Sequence, residues 1–200
     1  MQLIVATRNA HKTREIQRIL GPTFTVNDLS AHPEIPDTRE IGKSFGENAI
    51  LKAVGASRHF PGLIVADDSG LEVDALGGAP GIFSARYAGE KATDKQNIDK
   101  LLVELARTGA KETKRSARFR CVIALARQGE LLETFEGIVE GTIVEQARGL
   151  HGFGYDPTFV PHGFEETFAE LTPEVKDTIS HRAKAIRGLT GKLVALRTAD

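Results

Sequence analysis

The stretch Ala117-Arg-Phe-Arg-Cys-Val-Ile-Ala-Leu-Ala-Arg-Gln-Gly-Glu130 decides the fold class of this chain. Ala117, Phe119, Cys121, Ile123 and Leu125 recur at every second position, the period of a half-buried β-strand. Gln128-Gly129 is a two-residue turn signal, and Glu130 to Val139 is long enough to return beside the first strand. A hairpin forces antiparallel pairing. The flanking sequence instead interleaves short apolar runs with helical periods, which calls for parallel βα units. Both can hold only in an α/β domain built on a mixed β-sheet with flanking helices.

Toward the N-terminus, Gln2 to Ala6 is a short buried strand and His11 to Leu20 a helix closed by Gly21-Pro22. Thr23 to Asn27 fits a second strand, and residues 28–43, with prolines at 33 and 36, form a loop. Ser44 to Phe60 reads as a helix whose apolar face is Phe45, Ala49, Ile50, Ala53 and Val54, with Glu47, Asn48 and Lys52 off that face. Leu63 to Ala66 is another buried strand, ending in Asp67-Asp68-Ser69-Gly70. Beyond Gly77-Gly-Ala-Pro-Gly81, Asp94 to Thr108 is an amphipathic helix. After the hairpin, a glycine-rich loop at Gly149 to Gly154 leads into Tyr155 to Val160, and the last helix runs from about Ser180 to Arg197.

Two hundred residues predict a single domain over 1–200, of at most two closely packed lobes. Basic and acidic residues nearly cancel, 26 against 27, which argues against a nucleic-acid partner because such proteins carry broad basic surfaces. An anionic small molecule needs only a few local cations. No run approaches the length of a membrane span, and Met1 to Ala6 leads straight into polar sequence, so no membrane partner is expected and the expected compartment is cytoplasmic. Cys121 is the only cysteine, which rules out an intramolecular disulfide and reads as a buried thiol.

Several polar groups could carry chemistry, and each has a plainer reading beside it. The strand–helix junction from Thr7 to Lys12 suits an anion at a helix start, or else Asn9 is only a cap. Asp67-Asp68 at a strand end suits a hard cation such as Mg²⁺, or is an Asp-rich turn. Glu40 and Lys52 fit the same locale, or are solvated charges. Gly152-Phe-Gly-Tyr-Asp156 offers close backbone approach and a flat ring for a base, or a turn whose aromatics fill core. Lys176 with Ser180-His181-Arg182 presents donors for acceptor oxygens, or a capped helix start. Arg86 matches phosphate geometry.

The order of these motifs carries more than any one of them. Thr7-x-Asn9-x-x-Lys12, Phe45-x-Glu47-Asn48-Ala49-x-x-Lys52-Ala53, Ala66-Asp-Asp-Ser-Gly-Leu71, Gly77-Gly-Ala-Pro-Gly81 with Ser84-Ala-Arg-Tyr87, Gly152-Phe-Gly-Tyr-Asp-Pro157, and Ala169-Glu-Leu with Ser180-His-Arg182 resemble the inosine/xanthosine triphosphate pyrophosphatase family from residue 2 to about 196. Arg8 stands where many relatives have glycine, and Phe83 where many have tyrosine.

The resemblance implies an elongated mixed-sheet α/β fold with two lobes around a nucleotide cleft, usually homodimeric. It implies hydrolysis of deaminated purine nucleoside triphosphates (ITP, dITP, XTP) to monophosphate and pyrophosphate with Mg²⁺. Another modified or pyrimidine nucleotide as substrate is the alternative, and a non-catalytic nucleotide binder a more distant one. By the same resemblance Asp68 is the proton acceptor and a metal ligand, with Glu40 the second metal carboxylate. Thr7, Arg8, Asn9, Ala10, His11 and Lys12 form the triphosphate loop with Lys52 nearby, and Arg86 is a further phosphate contact. Ser69, Phe153, Gly154, Tyr155, Asp156, Lys176, His181 and Arg182 complete the substrate contacts. Donors from Lys176, His181 or Arg182 to O6 would separate deaminated purines from adenine, which presents a donor there.

Overall fold

The sheet is assembled from its second strand inward. β1 (Gln2–Val5) pairs in parallel with β2 (Thr25–Asp28) on one side and with β3 (Ile64–Val73) on the other. β4 (Ser116–Arg127) and β5 (Glu130–Ile143) form the hairpin, and β6 (Phe159–Pro161) closes the far edge antiparallel to β5. Among the described residues the order is β2-β1-β3-β4-β5-β6, so the sheet is mixed, as the sequence predicts. The computed structural model describes residues 1–36, 38–111 and 114–199; position 37 of the expected loop lies outside them.

Two compact units divide the chain. The first comprises Met1–Asp68, Cys121–Gly137 and His181–Asp200. Its core sets Leu3, Val5, Val65, Cys121, Ile123 and Leu125 from the sheet against Ile16 and Leu20 of α1 (Ala10–Leu20) and Ala185, Ile186, Leu189 and Leu193 of α5 (His181–Ala199). The strand residues in that list are alternate ones, one face of a pleated sheet. α5 comes close to β5 because residue 137 is glycine: a Cβ there would stand 2.0 Å from the His181 carbonyl oxygen.

The second unit comprises Ser69–Arg120 and Ile138–Ser180. Leu71, Val73, Ala117, Phe119, Val139 and Ile143 of the sheet pack with Ile98, Leu101 and Leu105 of α3 (Asp94–Arg107) and with Tyr155, Phe159, Phe168 and Leu171. α3 starts on a capping box between Thr93 and Gln96, which satisfies otherwise orphaned donors at both ends of the exchange.

Three expectations change. β3 does not end at Ala66 but runs through Asp67-Asp68-Ser69-Gly70 to Val73, because Leu71 and Val73 are core residues. Lys176 precedes the last helix on a separate short helix, α4 (Pro173–Ile179), capped by Thr172. Asn48 on α2 (Phe45–Ser57) is not on a solvated face but fully buried. The hairpin turn is as expected: Gln128 and Gly129 both have positive φ, 52° and 86°, the combination required by a type I′ turn.

Candidate active site

Successive side chains of a strand point to opposite faces, and β3 puts two carboxylates in succession. Asp67 shares the face of Val65 and is buried toward α1 and α5. Lys12 Nζ is 2.8 Å from its Oδ1, and the Arg182 guanidinium donates to Oδ2 through Nε at 3.2 Å and Nη2 at 2.9 Å. The Cys121 thiol lies beside the same oxygen. Arg182 also donates to Glu15 on α1. Burial alone would raise the Asp67 carboxyl, but Lys12, Arg182 and Lys52 together hold it well below the usual carboxylate range.

Asp68 takes the other face, toward α2. Lys52 Nζ donates to its Oδ1 at 2.8 Å and Asn48 Nδ2 to its Oδ2 at 3.2 Å. Lys52 also binds Glu40 Oε1 at 3.0 Å, so one ammonium gathers both carboxylates expected at the metal. Burial raises the Asp68 carboxyl above its ordinary value against the opposing pull of Lys52 and Lys12, and Glu40 adds to the rise. Lys52 is pushed the other way: burial disfavours its charge, yet Asp68, Asp67 and Glu40 prevail and hold it protonated. The two adjacent aspartates are therefore different instruments. Asp67 is a fixed anion that neutralises buried cations, and Asp68 is a carboxylate whose proton affinity lies above normal, as a general base requires.

Among the described residues no three His, Cys, Asp or Glu side chains converge. Glu40 and Asp68, two carboxylates on a common ammonium, are the donor set present. That set fits Mg²⁺, which commonly takes one or two protein carboxylates and fills its octahedron with phosphate and water.

The loop before α1 is built more tightly than its sequence suggests. Thr7 Oγ1 accepts from Asn9 N–H at 3.1 Å, and Asn9 Oδ1 accepts from the N–H groups of His11 at 2.9 Å and Lys12 at 3.3 Å. Asn9 is thus the N-cap of α1. An incoming anion meets amides already held by local oxygens, and Lys12 is the positive side chain at the junction. Arg8, expected in the triphosphate loop, is held by backbone carbonyls of the segment after β2. Its guanidinium donates to the carbonyls of Leu29, His32 and Ile35, tying the loop to the segment after β2. Ala10 opens α1 and His11 lies on its exposed first turn, where Arg14 meets the His11 ring.

In the second unit Lys176 and Asp156 form a buried ion pair. The Lys176 ammonium stands 5.1 Å from the Phe153 ring centroid and 5.7 Å from that of Phe168. Asp156 Oδ2 also accepts from Phe153 N–H at 2.9 Å, Gly154 N–H donates to Asp94 at 2.7 Å, and Tyr155 Oη donates to the Ser84 carbonyl at 2.8 Å. Gly152 to Asp156 is therefore both a tight turn and a platform that holds an ammonium and a ring together. Ser69 lies half-buried on β3. Arg86, half-buried, ion-pairs with Glu90 at 3.7 Å and faces the Phe83 ring.

Lys176, His181 and Arg182, expected as substrate contacts, each have partners or burial within their own unit. Lys176 belongs with Asp156, His181 is the buried first residue of α5, and Arg182, 1% exposed, turns inward to Asp67 and Glu15. Within the first unit the guanidinium is the counter-charge of Asp67 and Glu15. Sequence reasoning places Asn48 beside Lys52 without a role of its own and passes over Glu15. Asn48 had a local signal, a polar residue one helical turn before Lys52. Glu15 had none, since its partner lies 167 positions away.

Comparison with known proteins gives the family of the chain. The sequence profile of the Ham1 family matches residues 3–192. A dITP/XTP pyrophosphatase of Bacillus licheniformis is 46% identical over 193 residues, covering 96% of this chain and 97% of that protein. That of Bacillus subtilis is 45% identical over 195 residues, covering 97% and 98%. Among solved structures, the Ham1 protein of Staphylococcus aureus superposes with a TM-score of 0.84 at 40% identity, covering 98% of this chain and 99% of that one. A HAM1 protein from Coxiella burnetii gives 0.86 at 39% identity over the same shares. With a profile match from Leu3 to Lys192 and relatives close to half identical along nearly the full length, this chain belongs to the Ham1 family.

Proposed function

We propose that this chain hydrolyses deaminated purine nucleoside triphosphates, dITP and XTP among them, to the monophosphate and pyrophosphate, as a Mg²⁺-dependent, homodimeric, cytoplasmic enzyme. The observation that carries the chemistry is the Asp68 carboxylate, buried yet proton-hungry, held between Lys52 and Asn48 with Glu40 on the same ammonium. The substrate class follows from the close relatives that bear the dITP/XTP pyrophosphatase name. No described helix is long and apolar enough to cross a membrane.

In the proposed reaction a water attacks the α-phosphorus and its proton passes to an Asp68 oxygen. The bond from that phosphorus to the bridging oxygen of the β-phosphate breaks, and pyrophosphate leaves with the bonding pair. Lys12 and Lys52 are the cations assigned to the phosphates, a role of positioning and charge stabilisation rather than covalent chemistry. Mg²⁺, when bound by Asp68 and Glu40, supplies neutralising charge on the phosphate oxygens. Asp67 keeps Lys12 and Arg182 compensated without being consumed by the reaction. For the base, Phe153 offers a stacking face and Lys176 a donor suited to O6. Adenine would set its own N6 donor against that ammonium, a mismatch that a hydrogen-bonding site rejects strongly.

A substrate panel tests the proposal. Pyrophosphate release is measured for dITP, XTP, GTP and ATP with and without Mg²⁺, and light scattering of the purified protein gives its oligomeric state. Efficient turnover of dITP and XTP only with Mg²⁺, and ATP at least about a hundredfold poorer, is expected. Equal kcat/KM for ATP would end the claim of base selection.

A further inference from the structure

α2 carries two polar side chains one turn apart, and between them they reach both carboxylates of the site. Lys52 binds Glu40 and Asp68 directly. Asn48, with no exposed surface, is engaged at both ends of its amide: Nδ2 donates to Asp68 Oδ2 at 3.2 Å, and Oδ1 accepts from Gly42 N–H at 2.9 Å. Gly42 follows Glu40 by two residues. The adjoining bonds lock the same segment onto the first turn of α2, since Lys43 N–H donates to Glu47 Oε2 at 2.8 Å and Ser44 Oγ accepts from Glu47 N–H at 3.1 Å.

A buried amide is tolerated when both its ends are bonded, and here only one orientation bonds both. Turned over, the amide would set its oxygen against the Asp68 carboxylate and its NH₂ against Gly42 N–H. Leucine has the size of asparagine but neither bond. Aspartate could keep Gly42 but would face a carboxylate with a carboxylate. The neighbouring glycine is equally constrained: a Cβ on residue 42 would stand 2.7 Å from Asn48 Oδ1 and 2.7 Å from Glu47 Cβ.

We propose that Asn48 is a positioning residue, a buried amide that fixes the Asp68 carboxylate and, through Gly42, the approach of the Glu40 segment, so that the two carboxylates are registered against each other on α2. The inference deepens the proposed function and rests on its assignment of Asp68 and Glu40. Asn48 takes no proton and meets no substrate in the proposed reaction; it acts through the Asp68 carboxylate that it holds. Its effect is felt in how well the two carboxylates serve one cation and one water.

The test compares wild type with Asn48→Leu, which removes both bonds, and Gly42→Ala, which removes no polar group but displaces the amide. Each is assayed for dITP turnover and, without nucleotide, for Mn²⁺ binding by electron paramagnetic resonance. Wild-type pyrophosphate release tests the functional assignment separately, while the Mn²⁺ titration tests Asn48 whatever the substrate proves to be. Both variants should weaken Mn²⁺ binding by about tenfold or more and lower kcat by about thirtyfold or more, with KM for dITP within about threefold. The double variant should be no worse than Asn48→Leu, because the two changes act through one contact. A variant folded by circular dichroism that keeps both Mn²⁺ affinity and kcat within about threefold of wild type overturns the proposal. Should Asn48→Leu fail to fold, Gly42→Ala alone decides.

Discussion

Asp67 and Asp68 are neighbours in the chain, but β3 turns their carboxylates to opposite faces, where they acquire opposite proton affinities. Asp67 is met by Lys12 and Arg182, and Asp68 by Lys52 and Asn48. The strand's two-residue period is therefore what separates a carboxylate held ionised by buried cations from one whose proton affinity burial raises.

Removing each carboxylate should give a different failure. Asp68→Asn keeps shape and a hydrogen-bonding end but cannot take the water's proton. Its kcat should fall by about 10²–10⁴, with nucleotide affinity within about tenfold. Steady-state kinetics beside calorimetric binding of a non-hydrolysable triphosphate checks this; near-normal kcat would remove Asp68 from the role.

Asp67→Asn should instead destabilise. It leaves the Arg182 guanidinium and the Lys12 ammonium without their main counter-charge, and breaking a buried pair of this kind costs about 3–5 kcal/mol. The pH dependence has a definite sign. The folded carboxyl is held well below the unfolded value, so its contribution is present above the unfolded pKa and is lost as pH falls through the folded one. Urea denaturation from pH 7 down to pH 3 should show wild type losing stability with acid and Asp67→Asn losing less. Parallel curves would contradict the assignment.

Activity should respond to pH through Asp68. A general base works when ionised, so kcat/KM rises with pH through its pKa. Burial raises that pKa and Lys52 opposes the rise. Lys52→Met should therefore move the acid limb to higher pH besides lowering the rate. An acid limb left in place would mean that another group controls it.

Cys121 should be silent in the native state. It is fully buried, and burial beside the Asp67 charge pushes its thiol up, away from the reactive thiolate. A thiol reagent at pH 8 should label the protein only in denaturant. Rapid native labelling would show that the core around Asp67 opens readily.

Much of this was legible in the sequence, and the exceptions have physical causes. The alternation from Ala117 to Leu125 and the Gln128-Gly129 turn declared the hairpin because both signals are local. Asp67-Asp68-Ser69-Gly70 looked like the end of a strand because its composition favours turns. Pairing in the sheet and the burial of Leu71 and Val73 overrode that preference. The short helix Pro173–Ile179 is too brief for a period to register. Lys12, Lys52 and Asp68 stand in the ordered motifs and Glu40 as a metal carboxylate follows from the resemblance alone, and the structure brings Lys52, Glu40 and Asp68 together. Nothing near Arg182 in sequence reveals its partner Asp67, 115 positions away. The carbonyls that hold Arg8 come from the segment after β2, equally out of reach of a local reading.

The most direct test of the central claim is product analysis of dITP turnover by ³¹P nuclear magnetic resonance, with wild type and Asp68→Asn run side by side. The account predicts dIMP and pyrophosphate from wild type and, at equal enzyme concentration, no more than about 1% of that rate from the variant. Formation of dIDP and inorganic phosphate, or equal rates from the two proteins, would contradict it.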